Sequence, residues 1–329
     1  MEVSGFRTPV EPSPFPRLLD FSSSLVTLGS CFADSIGFKL QRYGFDVLAN
    51  PAGVIYHPEA IHGFLIRAIT GRSAGSESYL EHQGVWYSYD FHSSVHADSS
   101  LQLASIIDGL HAQLTAAIQK ADTLMITYGT AWAYRLTETA GLVANCHKQP
   151  GQLFRKELRD PDAIVGSFKQ MFGALRDINP NIQVVLTVSP VRHLADTIPS
   201  NQVSKSVLRL VCHRLASESN VHYFPAYEIM MDDLRDYRFY ARDMIHPSDV
   251  ALDYIWMHFQ QAAFTPETRQ IVSRWEKVLQ SVAHRPFHPG SSAHLEFLKR
   301  LRDEVKGFSI HFNVQEQLNL LDAQITPRV

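Results

Sequence analysis

An apolar, β-branched run that ends in glycine and passes at once into a helix-periodic pattern narrows the possible folds of this chain sharply. The stretch is Leu25-Val26-Thr27-Leu28-Gly29-Ser30-Cys31-Phe32-Ala33-Asp34-Ser35. A short buried strand turning into a helix puts Ser30 at the turn, at the carboxyl edge of a sheet and beside the free N–H groups of a helix N-terminus. Open α/β sheets bind ligands at that edge. A nucleophilic serine gains most there, because oriented donors meet the negative charge that develops on attack. The plainer alternative is that Ser30 caps the helix, a role in which serine is among the best residues.

The rest of the chain repeats the strand–helix alternation. Phe45–Leu48, Thr123–Tyr128, Gln183–Val188 and Val221–Pro225 read as further strands, and residues 31–43, 58–69, 100–120, 160–177, 202–217 and 250–263 as helices. The strands are apolar without alternating in polarity, which predicts a five-stranded parallel sheet covered on both faces, a three-layer α/β/α sandwich. Two stretches interrupt the pattern. Residues 71–99, rich in Ser, Gly and His, and residues 133–151, reaching Asn145-Cys146-His147-Lys148, predict inserted hairpins. The proline-rich residues 1–20 read as an extended lead-in on the surface. Residues 21–263 form the α/β domain, and 264–329 a helical extension with helices at 265–282 and 290–304. The tail beyond Phe308 is weakly patterned and reads as partly disordered.

Composition closes off several function classes. The 329 residues are 45% hydrophobic and 19% charged, as in a soluble globular protein. Thirty basic against 33 acidic residues leave a net charge of −3, which offers no surface for nucleic acid or an anionic membrane. Three cysteines with no C-x-x-C pair give neither a disulfide framework nor a structural zinc site. Met1–Pro16 lacks the basic start and apolar core of a signal peptide, and no run is long enough to span a membrane, so a cytoplasmic location is expected.

Asp243-Met244-Ile245-His246 supplies what a nucleophile at the first turn needs. Serine attack on a carbonyl requires a base to take its proton and a carboxylate to orient that base. Asp243 and His246 stand three apart on a loop entering a helix, at the same edge of the sheet as Ser30. A capping aspartate beside a surface histidine is the alternative for each taken alone.

Gly29-Ser30-Cys31-Phe32-Ala33 resembles the signature of the GSCFA-domain family, as do Asn50-Pro51, Gly53-Val54-Ile55-Tyr56, Gly129-Thr130-Ala131-Trp132 and Asp243 with His246-Pro247-Ser248. That family is similar to the SGNH/GDSL hydrolases, whose fold is flavodoxin-like. The resemblance implies Ser30 as nucleophile, His246 as base and Asp243 as its orienter. It also implies oxyanion donors: the N–H groups of Ser30 and Gly53, and an asparagine side chain in a Gly-x-Asn after the third strand. Alanine (Ala131) holds that last position here, and Asn145 on the following excursion is the candidate replacement, with Trp132 and the Gly129 turn behind it.

Cys31 is the rival nucleophile, since the first turn of a helix lowers a thiol's pKa. If Ser30 points into the cleft, however, the next side chain points elsewhere, and a small cysteine in the helix–sheet core is expected. His92 and His96 offer the H-x-x-x-H interval of a metal site but face apart on a strand-like stretch, and neither a metal nor another cofactor is expected. Trp86, His92, Trp132, His147 and Arg192 read instead as a polar-aromatic rim for a carbohydrate-like ester. The chain is thus expected to hydrolyse a small acyl ester. An O-acyltransferase with the same residues, or a non-catalytic carbohydrate- or partner-binding module, are the alternatives.

Overall fold

The five apolar runs pair as parallel strands in a computed structural model that describes residues 8–72 and 75–325. They are β1 (Ser24–Gly29), β2 (Asp46–Ala49), β3 (Thr123–Tyr128), β4 (Gln183–Val188) and β5 (Val221–Tyr223), in the order β5-β4-β3-β1-β2. Thr27 of β1 stands opposite Ala49 of β2 on one side, and Gly29 opposite Thr127 of β3 on the other. The chain winds outward to β2 and then crosses back over β1 to β3. The crevice of a doubly wound sheet opens where the order reverses, here between the carboxyl ends of β1 and β3.

Every residue of β3 and β4 is buried, which is why these strands carry no polar alternation. Val26, Leu28, Leu124, Ile126 and Val184 pack on one face, under α2 (Pro58–Thr70), α3 (Ser100–Lys120), α4 (Pro161–Ile178) and α5 (Thr197–Leu215). Leu25, Met125 and Val185 pack on the other, under α1 (Cys31–Arg42) and α6 (Asp249–Ala263). Helix α5 begins five residues before the predicted start. Among the described residues, no helix is long and apolar enough to cross a membrane.

Both excursions are larger than hairpins. Each forms a three-stranded antiparallel sheet: Tyr79–His82, Val85–Ser88 and His96–Ala97 in the first, Trp132–Leu136, Leu142–Val143 and Phe154–Leu158 in the second. The second therefore runs well past residue 151. The two are stitched together where Tyr89 O accepts from Ala144 N at 2.7 Å and Asn145 N at 3.2 Å.

Two expectations for the chain ends need correction. The lead-in does not lie merely on the surface: Phe15 and Leu19 are buried, and their N–H groups donate to Ala262 O and Ala263 O at 2.8 and 2.7 Å. Its first seven residues lie outside the described part. The tail beyond Phe308 is ordered as α9 (Gln315–Ile325), after α7 (Pro266–Ala283) and α8 (Ser292–Gly307). Val314, Leu318, Leu321 and Ile325 recur at helical spacing and join the core, and Arg302 holds Asp322 across the helix pair. The extension packs against the far end of α1, where Trp275 Nε1 donates to Arg42 O at 3.2 Å. Gly44, at φ +90°, lies so near Phe312 that a Cβ would come within 2.3 Å of its ring.

Candidate active site

The β1–α1 turn is locked by Gly29. Its φ of +132° is one that L side chains rarely adopt, and a Cβ there would stand 2.1 Å from Thr127 O. Its N–H donates to Asn50 Oδ1 at 2.8 Å, and its carbonyl accepts from Ile55 N at 2.9 Å. Asn50 also donates to Asp34 Oδ1 at 2.6 Å, so one side chain ties the end of β1 to the first turn of α1.

Ser30 is wholly buried at 0% exposure and serves as the N-cap of α1. Its N–H donates to Thr127 O at 3.1 Å, its Oγ accepts from Phe32 N at 3.3 Å and its carbonyl accepts from Ala33 N at 2.7 Å. Among the described hydrogen bonds, none joins Ser30 to His246. The expectation of a hydroxyl open to the cleft is corrected for a local reason: a capping oxygen turns back onto its own helix.

Cys31 departs from expectation in the opposite sense. It is the first residue of α1 and is partly exposed instead of lying in the core. Burial and the Asp34 carboxylate raise its pKa, against the N–H groups of Cys31 and Phe32 and the charge of Lys205, which favour the thiolate. The thiol form prevails at neutral pH.

Asp243 and His246 meet as the sequence predicts. Met244, at φ +58°, closes a tight turn in which Asp243 Oδ1 accepts from Ile245 N at 2.9 Å and His246 N at 3.0 Å. Asp243 Oδ2 lies 2.7 Å from His246 Nδ1. The His246 hydrogen bonds, the side-chain one foremost, pull the Asp243 carboxyl down to about 2, with the Ile245 N–H adding to them. An ionised carboxylate at Nδ1 favours the proton on that nitrogen and leaves the Nε2 lone pair able to accept one. Both side chains are nearly half exposed, 46% for Asp243 and 47% for His246, so a substrate can reach them. The turn is anchored at the carboxyl edge of the sheet, where Arg192 N, beyond β4, donates to Ile245 O at 3.1 Å.

Between these two turns lies a cluster built on α5. Asn201, Ser204 and Lys205 are buried, and Asn201 Oδ1 accepts from His193 N at 3.0 Å. Ser204 Oγ accepts from Ala131 N at 2.7 Å. Lys205 Nζ donates to Gly129 O and Ser189 O, both at 2.8 Å, bridging the loops after β3 and β4. Tyr56 packs on Gly129, and its ring centroid lies 5.2 Å from that of His193. Burial holds His193 down to about 4, with Lys205 and His246 adding to the effect, so its imidazole is neutral.

Burial likewise pushes the Lys205 ammonium down to about 7 from an ordinary 10.5. Between those values the unfolded chain binds more protons than the folded one, so this group makes stability rise with pH. Relative to Lys205→Met, the wild type should gain about 2 kcal/mol between pH 6.5 and 9 in urea unfolding. A difference between the two proteins that stays constant over that range would show that Lys205 is charged in the fold.

Two of the expected oxyanion donors, the Ser30 and Gly53 N–H groups, are engaged elsewhere. The Ser30 N–H holds Thr127 O, and the Gly53 N–H holds Asn50 O at 2.8 Å. Asn145 Oδ1 accepts from His147 N at 2.9 Å, within the second excursion. The rim also divides. His92 lies by the β1 turn, over Gly53, where a Cβ would come 2.5 Å from its own Cβ. His147 is buried, with Ser93 Oγ on one ring nitrogen at 3.0 Å and Ser88 O on the other at 2.8 Å, so it braces the first excursion. Trp86 packs on the core. Trp132 donates to Ser200 O at 3.3 Å beneath Lys156, whose Nζ is 5.0 Å from the ring centroid. The Arg192 guanidinium stacks 3.8 Å from the Tyr240 ring centroid and supports the Asp243–His246 turn.

Comparison with protein families assigns residues 24–259 to the GSCFA family model. The chain belongs to the GSCFA family. A second model, the C-terminal domain of GSCFA domain proteins, matches residues 275–327, which cover most of the helical extension. No curated protein matches the chain. Among solved structures, it is similar to a carbohydrate esterase family 3 from Talaromyces cellulolyticus, at 16% identity and a TM-score of 0.28, over 50% of this chain and 65% of that one. It is also similar to an acetyl xylan esterase from the rumen bacterium Butyrivibrio proteoclasticus, at 13% identity and a TM-score of 0.31, over 80% of this chain and 66% of that one. The GSCFA chain thus spans just under two thirds of the length of each.

Sequence reasoning missed the α5 contribution to this GSCFA site. The signal was there: Asn201, Ser204 and Lys205 stand on the same stripe as Leu208, Val211, Cys212 and Leu215, which are all buried. A lysine on a core stripe needs buried acceptors.

Proposed function

We propose that this GSCFA-family chain is an acyl-transfer enzyme that hydrolyses small acyl esters. The observation carrying the proposal is the Asp243–His246 pair, held at 2.7 Å, with no hydrogen bond to Nε2 among the described residues, at the carboxyl edge of a doubly wound sheet. His246 takes the proton of a nucleophile at the β1–α1 turn as that nucleophile adds to the ester carbonyl. The same imidazole returns the proton to the departing alcohol. Water, activated by the same base, then releases the acid. His92, Asp34 and Asn50, polar and grouped around the turn, suit a hydroxyl-rich alcohol portion such as an O-acylated carbohydrate.

Incubation of the folded protein with p-nitrophenyl acetate and with acetylated saccharides tests this reading. Release of nitrophenol and acetate above the buffer rate, dependent on His246, is the expected result. A folded protein that turns over neither substrate overturns it.

A further inference from the structure

We propose that Arg192 is a substrate-binding residue and that the ester it receives carries a carboxylate. The inference rests on the acyl-transfer reading above and adds to it the charge of the substrate. Arg192 lies on the loop after β4 and meets the Asp243–His246 turn directly. Its N–H donates to Ile245 O at 3.1 Å, and its Nη1 stands 3.5 Å from Met244 O. Both acceptors belong to the residues between Asp243 and His246, so the side chain stands beside the turn that holds the proposed base.

A cavity of about 140 Å³ adjoins this turn, lined by Arg192, Met230, Leu234, Asp236, Tyr237 and Tyr240. Its wall is continuous with the dyad. Tyr240 pairs with Pro247 in a β-bridge, and Ala241 N donates to His246 O at 2.7 Å. Met230, Leu234 and Tyr240 are buried, so core side chains give the cavity its shape. A benzene ring fits a cavity of about 150 Å³, so this one takes a carboxylate and the few carbons that carry it.

Charge balance selects an anion. The Arg192 guanidinium stacks 3.8 Å from the Tyr240 ring centroid and 5.1 Å from that of Tyr237. Stacking fixes the guanidinium plane and leaves its N–H edge for hydrogen bonds. Among the described residues no carboxylate pairs with it, whereas the other charges at the cavity are matched. Arg235 holds Asp232. Asp236 Oδ1 accepts from Arg238 N at 2.9 Å, and its Oδ2 lies 3.8 Å from Arg238 Nε. Asp243 is occupied by His246. A planar fork with an unmatched positive charge suits a carboxylate, which it can bind through two parallel hydrogen bonds. Either end of an ester can carry that group. A half-ester of a dicarboxylic acid bears it on the acyl side, and an acylated hydroxy acid, such as a sugar acid, bears it on the alcohol side.

The test compares wild type, Arg192→Gln and Arg238→Gln on two substrate pairs that differ in charge. Acetate release from p-acetoxybenzoate and from its methyl ester reads the alcohol side. Ethanol release from monoethyl succinate and from ethyl butyrate reads the acyl side. In wild type the charged member of at least one pair should have a kcat/KM at least about tenfold above its neutral partner, as charge-assisted hydrogen bonds allow. The advantage should lie chiefly in KM, since the contact is made before and during reaction alike. Arg192→Gln should bring that ratio to about one, because the amide keeps hydrogen bonding but not charge. Arg238→Gln removes the same charge from a side chain outside the cavity lining and should keep the preference. The pair that shows the preference names the end of the ester that enters the cavity. Turnover without a preference for charge overturns the inference, as does a preference that survives Arg192→Gln or is lost equally in Arg238→Gln. Each of those results leaves the acyl-transfer reading standing. A folded wild type that turns over none of the four esters overturns both.

Discussion

Replacing His246 by glutamine is expected to lower kcat/KM for an aryl ester by about 10³-fold while leaving the fold intact. The imidazole is the base in the proposed reaction, and a positioned general base contributes roughly 10²- to 10⁴-fold. Glutamine can still accept a hydrogen bond but cannot hold the transferred proton at neutral pH. The side chain is nearly half exposed, so its replacement opens no cavity. The turn is fixed chiefly by backbone groups, among them Ala241 N to His246 O at 2.7 Å. The thermal midpoint should therefore stay close to the wild-type value. Asp243→Asn should also depress activity, because the amide can present N–H to Nδ1 and favour the tautomer whose Nε2 carries the proton. Equal losses of activity and thermal stability in both variants would mean that the pair is structural.

The largest stability effect is expected at Gly29. A Cβ 2.1 Å from Thr127 O cannot be accommodated by moving a side chain, since the obstacle is the backbone of the neighbouring strand. Gly29→Ala should cost roughly 3 kcal/mol, from overpacking of about 1–3 kcal/mol and left-handed strain of similar size. The strand end would have to withdraw from β3, loosening the Ser30 N–H bond to Thr127 O and the Gly29 N–H bond to Asn50 with it. Gly166 is the matched control: it is exposed within α4, and a Cβ there meets nothing within 4 Å. Gly166→Ala should stabilise by about 0.5–1 kcal/mol through the unfolded chain. Urea unfolding of the two variants measures the contrast. Equal midpoints would disprove the account of the β1–α1 turn.

The sheet was legible because strands buried on both faces announce themselves as unbroken apolar runs. Thr123–Tyr128 and Gln183–Val188 match the sequence reading residue for residue. The contact between Asp243 and His246 was legible for a simpler reason, since residues three apart on a tight turn bring their side chains together. What the sequence could not resolve was orientation. Ser30 and Cys31 occupy the same turn, and only the capping geometry shows that the hydroxyl faces its own helix. His147 has the composition of a rim residue, yet its φ of +48° and its two ring partners belong to a brace between strands. Helix α9 escaped notice although Leu318, Leu321 and Ile325 do recur at helical spacing, because its eleven residues give that period only three turns in which to show.

Helix α1 is held at both ends, at its start by the cap in the β1 turn and at its finish by Trp275 on Arg42 O and Phe312 over Gly44. Its 12 residues set these two anchorages about 18 Å apart. The molecule therefore has a working end and a handling end. A fusion partner, solid support or neighbouring domain attached through α9 would grip the protein from behind and leave the β1–α1 turn at the other end of α1 unencumbered.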